Sequence, residues 1–454
     1  MKPVSVIAIF DVGKTNKKIF LFDQQYKIVF EESKQLTETK DEDGFPCEDI
    51  DALTEWVKDS FTKLLAQKDF DIKAINFSAY GASFVYLDNE RKVVAPLYNY
   101  LKPYPASLQK KFYETYGGES LVAKQTASPV LGNLNSGMQL YRIKYENPGL
   151  FSKIKYALHL PQYLSYVISN TFHTDITSVG CHTNLWDFQK KDYHKWVKQE
   201  AVLEKFAPLK DCRGIVGYIN NGIPVGTGLH DSSAALIPYL SSFHEPFILL
   251  STGTWCISLN PFNYSMLSDY ELHHDCLCYL SYEGRPVKAS RLFAGYEHEQ
   301  QVKKLAAHFK TESDHYKTIQ PDHSFIKRIN AGDANASYSQ NEAMTGESNF
   351  SKRDLNKFSD HAHAYHQLLA DIIEQQVRST NLVLKNTSVK KIFVDGGFSR
   401  NPIYMNILAS VFPSHEIYAA NMSEATSLGA ALAIHQKWNR DPLPSDIIQL
   451  KFYS

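Results

Sequence analysis

The chain has 454 residues, 43% of them hydrophobic and 21% charged, which is too long for one hydrophobic core and points to at least two domains. A net charge of -1 and the lack of any basic tract give no electrostatic case for a nucleic-acid partner. No run is apolar and long enough to span a membrane, and Asp11 interrupts the opening apolar stretch before it could serve as a secretory signal. The expectation is a cytoplasmic protein, and six cysteines in a chain this long do not make a disulfide framework.

The opening "VIAIFDVGKTNKKIFLFD" contains a "GKT" that invites a Walker reading. A P-loop requires a glycine at position 8, where Ala8 stands, and a helix after the lysine. Ile19, Leu21 and Asp23 alternate with Phe20 and Phe22 instead, so the segment reads as a β-hairpin with its turn at "VGKTN". From Asp49 to Gln67, Ile50, Leu53, Trp56, Val57, Phe61, Leu64 and Leu65 share one helical face, with Asp49 or Asp51 as cap. "IKAINFSAYGASFVYLD" reads as strand, glycine turn and strand. Residues 106–170 read as mainly helical, broken at Pro129, Pro148 and Pro161. The glycine-rich "GIPVGTGLHDSSAA" leads into a helix from about Asp231.

A second beginning follows. "FILLSTGTWCISL" repeats the form of the opening hairpin about half a chain later, which suggests two related lobes, 1–243 and 244–454. "ELHHDCLCYL" brings His273, His274, Cys276 and Cys278 together, but C-x-C without a partner pair reads as a short strand or loop with buried thiols. The polar stretch Lys327–Ser351 reads as a loop or irregular crossover. His363–Leu384 is an amphipathic helix, "KKIFVDGGFS" a strand ending in a glycine turn, and helices follow from about Pro402 and over Ser423–Ile434.

Four turns carry the candidate chemistry: "DVGKTN", "STGTW", "GLHDSSAA" and "DGGFSRN". Amides in tight turns make anion-binding concavities, and small side chains let a phosphate approach. The expected phosphate contacts are Gly13, Lys14, Thr15 and Asn16 in the first turn and Thr252, Gly253 and Thr254 in the second. Asp11, just before the first turn, is placed to hold Mg2+ bridging those phosphates. Gly396 and Gly397 allow a purine or ribose close to the backbone, with Ser399, Arg400 and Asn401 in reach of it. Asp231 is the candidate general base for a substrate hydroxyl, although a helix cap would use the same residue type.

Taken together and in this order, these segments resemble the FGGY family of carbohydrate kinases over nearly the whole chain. "LSTGTWCI", "LHDSSAA" and "YEGRPVKASRLFAG" are most similar to rhamnulokinase segments, and fuculokinases share a similar opening and "SGTW" turn. The resemblance implies an α/β protein with the two-lobed, actin-like (ribonuclease H-like) ATPase fold and a ligand cleft between duplicated domains. It also implies transfer of a phosphoryl group from ATP, with Mg2+, to a small-molecule ketose, with Asp231 as base and the protein a monomer or homodimer. Tyr80, Gly81, Ser83, Asn135, Gln139 and His230 fall on segments that this reading turns toward the sugar. One departure stands out: Ser83 occupies the place of a sugar-binding aspartate, and "YNYLKPY" lacks the family's Asp and Arg after Tyr98. A nucleotide-binding chaperone or filament protein would need no base at Asp231, whereas a sugar sensor without catalysis would account for the altered pocket.

Overall fold

The computed structural model describes residues 2–219, 222–330, 348–422 and 424–454. Most of the polar stretch read as a crossover, 331–347, lies outside the described residues. The chain forms two compact units that are discontinuous in sequence. The first comprises Met1–Ser242, Cys278–Pro286 and Glu424–Ile447, and the second Phe243–Leu277, Val287–Ser423 and Ile448–Ser454.

The first unit opens with β1 (Val4–Val12), β2 (Lys17–Asp23) and β3 (Ile28–Lys34). Val6 through Phe10 are fully buried, as expected for a central strand covered on both faces. Asp49 caps α1 (Ile50–Ala66), accepting from the Ala52 N–H at 2.9 Å, and Leu53, Trp56, Val57 and Leu64 lie on its buried face. Next come β4 (Phe70–Ala79), α2 (Ser136–Glu146), β5 (Ile215–Ile219), β6 (Ile223–Gly226), the short β7 (Leu229–His230) and α3 (Asp231–Ser242). The sheet order is β3-β2-β1-β4-β6-β5, with β7 also on β4. Within residues 106–170 the helices are Ala106–Tyr116, Glu119–Thr126, α2, Pro148–Lys153 and Leu160–Ser169, interrupted by a strand at Tyr156–His159.

The second unit contains β8 (Phe247–Thr252), β9 (Cys256–Asn260), β10 (Pro286–Leu292), α4 (Ala294–Phe309), α5 (His361–Leu384), β11 (Lys391–Gly396), α6 (Pro402–Val411) and β12 (Glu416–Asn421). The chain then re-enters the first unit with α7 (Ala425–Ala433) and ends on β13 (Gln449–Tyr453) in the second. Six of its strands run in the order β10-β9-β8-β11-β12-β13.

The two sheets share one topology. In the first, β1, β2 and β3 are antiparallel, β4 and β6 join β1 in parallel, and β5 closes antiparallel. In the second, β8, β9 and β10 are antiparallel, β11 and β12 are parallel to β8, and β13 closes antiparallel. The hairpin similarity legible in the sequence therefore extends to six strands on each side. Each sheet is packed against helices by its own apolar core, as expected for an α/β layer architecture.

Candidate active site

The "GKT" segment is the turn of a hairpin: Val12 pairs with Lys17, and the Gly13 N–H donates to Asn16 O at 2.9 Å. The second turn has the same construction, Thr252 pairing with Cys256 and the Gly253 N–H donating to Trp255 O at 2.9 Å. Thr15, Asn16, Gly253 and Thr254 are exposed. Lys14 donates to Glu38 at 2.9 Å, and its ammonium lies 5.9 Å from the centre of the Tyr80 ring.

Asp11 sits on β1 opposite Lys18 of β2 and beside Ser78 of β4. The Ser427 hydroxyl of α7 donates to its carboxylate at 2.8 Å. Desolvation pushes the Asp11 carboxyl up to about 7; Asp231 and Glu424 add to the rise, while the Ser427 bond and Lys18 oppose it. Asp11 and Asp231, far apart in sequence, thus feel each other's charge within the first unit.

Asp231 opens α3 directly after β7, and its Oδ1 accepts from the Ser232 N–H at 2.6 Å. The approach to it is pinned from several directions. Asn76 Oδ1 accepts the Gly228 N–H at 3.0 Å, Gln162 donates to Gly228 O at 2.9 Å, and Ser165 donates to Gly226 O at 2.6 Å. Gly228 has φ +73°, and a side chain there would stand 2.4 Å from Pro161 O, so the turn admits only glycine. The His230 N–H donates to Thr177 Oγ1 at 3.0 Å, and Thr177 is itself bound to the buried carboxylate of Asp175. His230 Nε2 lies 3.3 Å from Asp231 Oδ1, and burial lowers the imidazole pKa against the opposing effect of Asp231.

The proposed sugar-side residues divide into two groups. Gly81 lies directly against His230; a Cβ there would be 2.5 Å from Nε2. Tyr80 is buried, donates to Glu48 at 2.5 Å, and meets the Tyr100 ring edge-on at 6.2 Å. The Tyr100 hydroxyl is raised by burial and by the charge of Asp231. Ser83, by contrast, is almost wholly buried, and its hydroxyl faces Tyr98 O at 3.4 Å. Asn135 is the N-cap residue of α2 rather than part of its body. Its amide joins the Leu131 N–H, Ser128 and His182 O, so its side chain is occupied in holding loops together. Gln139 donates to Ala82 O at 2.7 Å and Asn133 O at 2.8 Å, beneath the Gly81 turn.

In the second unit, β8 and β11 place Thr252 beside Gly396. The Gly397 N–H donates to Thr252 O at 2.7 Å, and Thr252 Oγ1 bonds Asp395 O and accepts from the Phe398 N–H. A cavity of about 680 Å³ opens there, with Thr252, Gly253, Gly397, Arg400 and Asn401 on its wall, together with Gly295, His298 and Tyr316. Gly295 has no room for a side chain, since a Cβ would lie 1.8 Å from Gly253 O. His298 is lowered to about 4 by burial, which leaves it neutral. Asn401 caps α6 and donates to Tyr365 at 2.7 Å, while Ser399 donates to Gly396 O at 2.8 Å, so both side chains shape the turn.

Sequence reasoning did not single out Tyr100, Glu424 or Ser427 in the first unit, nor Gly295, His298 or Tyr316 in the second. The helix over Ser423–Ile434 and the segment ending in "RLFAG" were visible, but nothing in their spacing assigned particular side chains to a site.

Family models match both parts of the chain: the N-terminal domain of the FGGY family of carbohydrate kinases over residues 6–237, and the FGGY carbohydrate kinase C-terminal domain over 244–442. The chain belongs to the FGGY family of carbohydrate kinases. A rhamnulokinase of Mannheimia succiniciproducens is 24% identical over 262 residues, 55% of this chain and 52% of that protein. An L-fuculokinase of Salmonella typhi is 24% identical over 285 residues, 58% of this chain and 59% of that protein. The chain therefore spans little more than half the length of the curated relatives it matches. A carbohydrate kinase structure from Novosphingobium aromaticivorans superposes with a TM-score of 0.80 at 21% identity, covering 99% of this chain and 94% of that one. The fold is the two-domain, actin-like α/β fold of these kinases. Among the described residues no helix is long and apolar enough to cross a membrane.

Proposed function

We propose that this protein transfers the γ-phosphoryl group of ATP to a hydroxyl of a ketose, L-rhamnulose or a related deoxyketose at its primary O1 in the first place. L-fuculose and other pentuloses or hexuloses are the alternative acceptors. The carrying observation is the Asp231 site: a carboxylate fixed at a helix start, beside a buried imidazole and within electrostatic reach of Asp11. Family membership and similarity to a rhamnulokinase and an L-fuculokinase support the same reading.

Asp231 accepts the proton of the attacking hydroxyl, and His230 and Gly81 hold the sugar against it. Transfer is direct and in line. The turns at Gly13, Lys14, Thr15 and Asn16 and at Thr252, Gly253 and Thr254, exposed at Thr15, Asn16, Gly253 and Thr254, present donors to the phosphates, supplying charge stabilisation where it shifts in the transition state. Asp11 fits a divalent cation because its carboxyl is held near 7 by burial and neighbouring negative charge, a penalty that a cation relieves. Mg2+ there would screen phosphate charge. In the second unit, Gly397 and Arg400 offer the adenosine-side wall, with Gly396, Ser399 and Asn401 shaping it. The protein acts in the cytoplasm as a monomer or homodimer on a small-molecule sugar, with no nucleic-acid or membrane partner.

A screen of L-rhamnulose, L-fuculose, xylulose and ribulose with Mg-ATP is expected to find one acceptor that raises ADP release. Asp231→Asn is expected to abolish transfer while leaving ATP binding intact. Normal turnover in that variant would remove Asp231 from the role of base. If no acceptor stimulates the wild type, a non-catalytic sugar or nucleotide sensor becomes the better reading. The occupied side chains of Ser83 and Asn135 are the observation that favours it.

A further inference from the structure

Behind the proposed base lies a cluster of soft donors that phosphoryl transfer does not require. Cys181, His182 and His230 are all buried, and each offers one ligand atom within 4.8 Å of the others. Cys181 Sγ stands 3.2 Å from His230 Nε2. His182 Nδ1 faces Leu134 O at 3.1 Å; donation there leaves Nε2 as the lone-pair nitrogen, the arrangement that typically orients a metal-binding imidazole. The rings of His182 and His230 are perpendicular, with centroids 6.3 Å apart. His230 Nε2 lies 3.2 Å from the Cys181 sulfur and 3.3 Å from Asp231 Oδ1. A cation placed among the sulfur, the nitrogens and the carboxylate would engage them together.

We propose that Cys181, His182 and His230 form a three-ligand site for a soft divalent cation, Zn2+ above all, and that filling it blocks Asp231. One thiolate and two imidazoles are a zinc donor set, and three protein ligands leave the fourth position open toward water or a carboxylate. Tetrahedral zinc, with Zn–S of about 2.3 Å and Zn–N of about 2.0 Å, spaces its ligand atoms by roughly 3.3–3.6 Å. A small inward movement of an imidazole therefore completes the site. Binding exchanges the Cys181 thiol proton for the cation, so each ion bound releases one proton. The ion draws His230 and the neighbouring Asp231 carboxylate toward itself, which removes both from the sugar. Only this blocking effect rests on the reading of Asp231 as base; the metal site does not.

The test is titration of the reduced full chain with Co2+. The expected signature is a thiolate-to-cobalt charge-transfer band in the near ultraviolet that Zn2+ abolishes. Cys181→Ser should lose the band and His182→Gln should weaken it, each with an unchanged circular dichroism spectrum. No band in the wild type, or a full band in Cys181→Ser, overturns the site; if Cys181→Ser does not fold, an unweakened band in His182→Gln does so instead. Zn2+ should inhibit sugar phosphorylation competitively with the sugar, and Cys181→Ser should relieve that inhibition. A cobalt band with Zn2+-insensitive turnover overturns the blocking effect and leaves the site standing. A cobalt band in a chain that phosphorylates no sugar counts against the kinase reading and upholds the metal site.

Discussion

Replacing Asp11 by asparagine removes one ionisable group whose protonation is tied to folding. Its carboxyl lies at about 7 in the folded chain against an ordinary value of 3.8. The folded state therefore holds a proton that the unfolded chain has already released. Stability falls as pH rises from about 4 to about 7 and levels off above that. Three pKa units correspond to about 4 kcal/mol, an upper figure because the side chain is only partly buried. The Ser427 bond, which asparagine can still accept, contributes to both proteins. Urea unfolding of the wild type and Asp11→Asn between pH 5 and pH 8 isolates the effect, because every other titrating group is common to both. The variant is expected to gain on the wild type as pH rises from 5 to about 7 and little beyond, by at most about 2.7 kcal/mol over the interval. Mg2+ with ADP should narrow the gap by stabilising only the protein that keeps the carboxylate, and the variant should lose phosphoryl transfer. Parallel pH profiles for the two proteins would refute the argument.

Two glycines test the close approaches on which the sites depend. In the first unit, a Cβ on Gly429 of α7 would stand 1.8 Å from Ala234 O of α3; Gly429→Ala is expected to cost about 1–3 kcal/mol by overpacking, read as a lower urea midpoint. In the second unit, Gly396 has φ +87°, and a Cβ there would lie 2.0 Å from Thr252 O. Gly396→Ala should weaken ADP binding by about tenfold or more, measured by calorimetry, and unchanged affinity would detach this turn from nucleotide binding.

The local elements were legible because each has a short-range cause. Asp49 starts α1 with its own side chain, alternation marks β1 and β2, and the missing glycine at Ala8 excludes a P-loop. The internal duplication was visible only as a pair of hairpins. Its full extent needed the strand order, because parallel neighbours such as β8 and β11 are separated by more than a hundred residues that carry no pairing signal. The exchange of α7 into the first unit is also tertiary. Small residues announce close packing but not the partner, and only the fold sets Gly429 on Ala234 and Ser427 on Asp11.

Residue types at turns identified Asp11, Asp231 and the glycines as candidates, since backbone geometry and charge requirements restrict what can stand there. Sequence could not say which neighbouring side chains remained available. Asn135 was a sugar-side candidate, yet it precedes the helix and its side chain joins three surrounding segments. Ser83 proved to face a backbone carbonyl. Cys181 and His182 stand far from His230 in the chain and carry no metal-binding spacing, so their convergence on His230 was decided by the fold alone. The sequence determined which chemistry the turns could support, because that depends on residue type and local backbone. Which groups share a site depends on long-range contacts, and those only the tertiary structure decided.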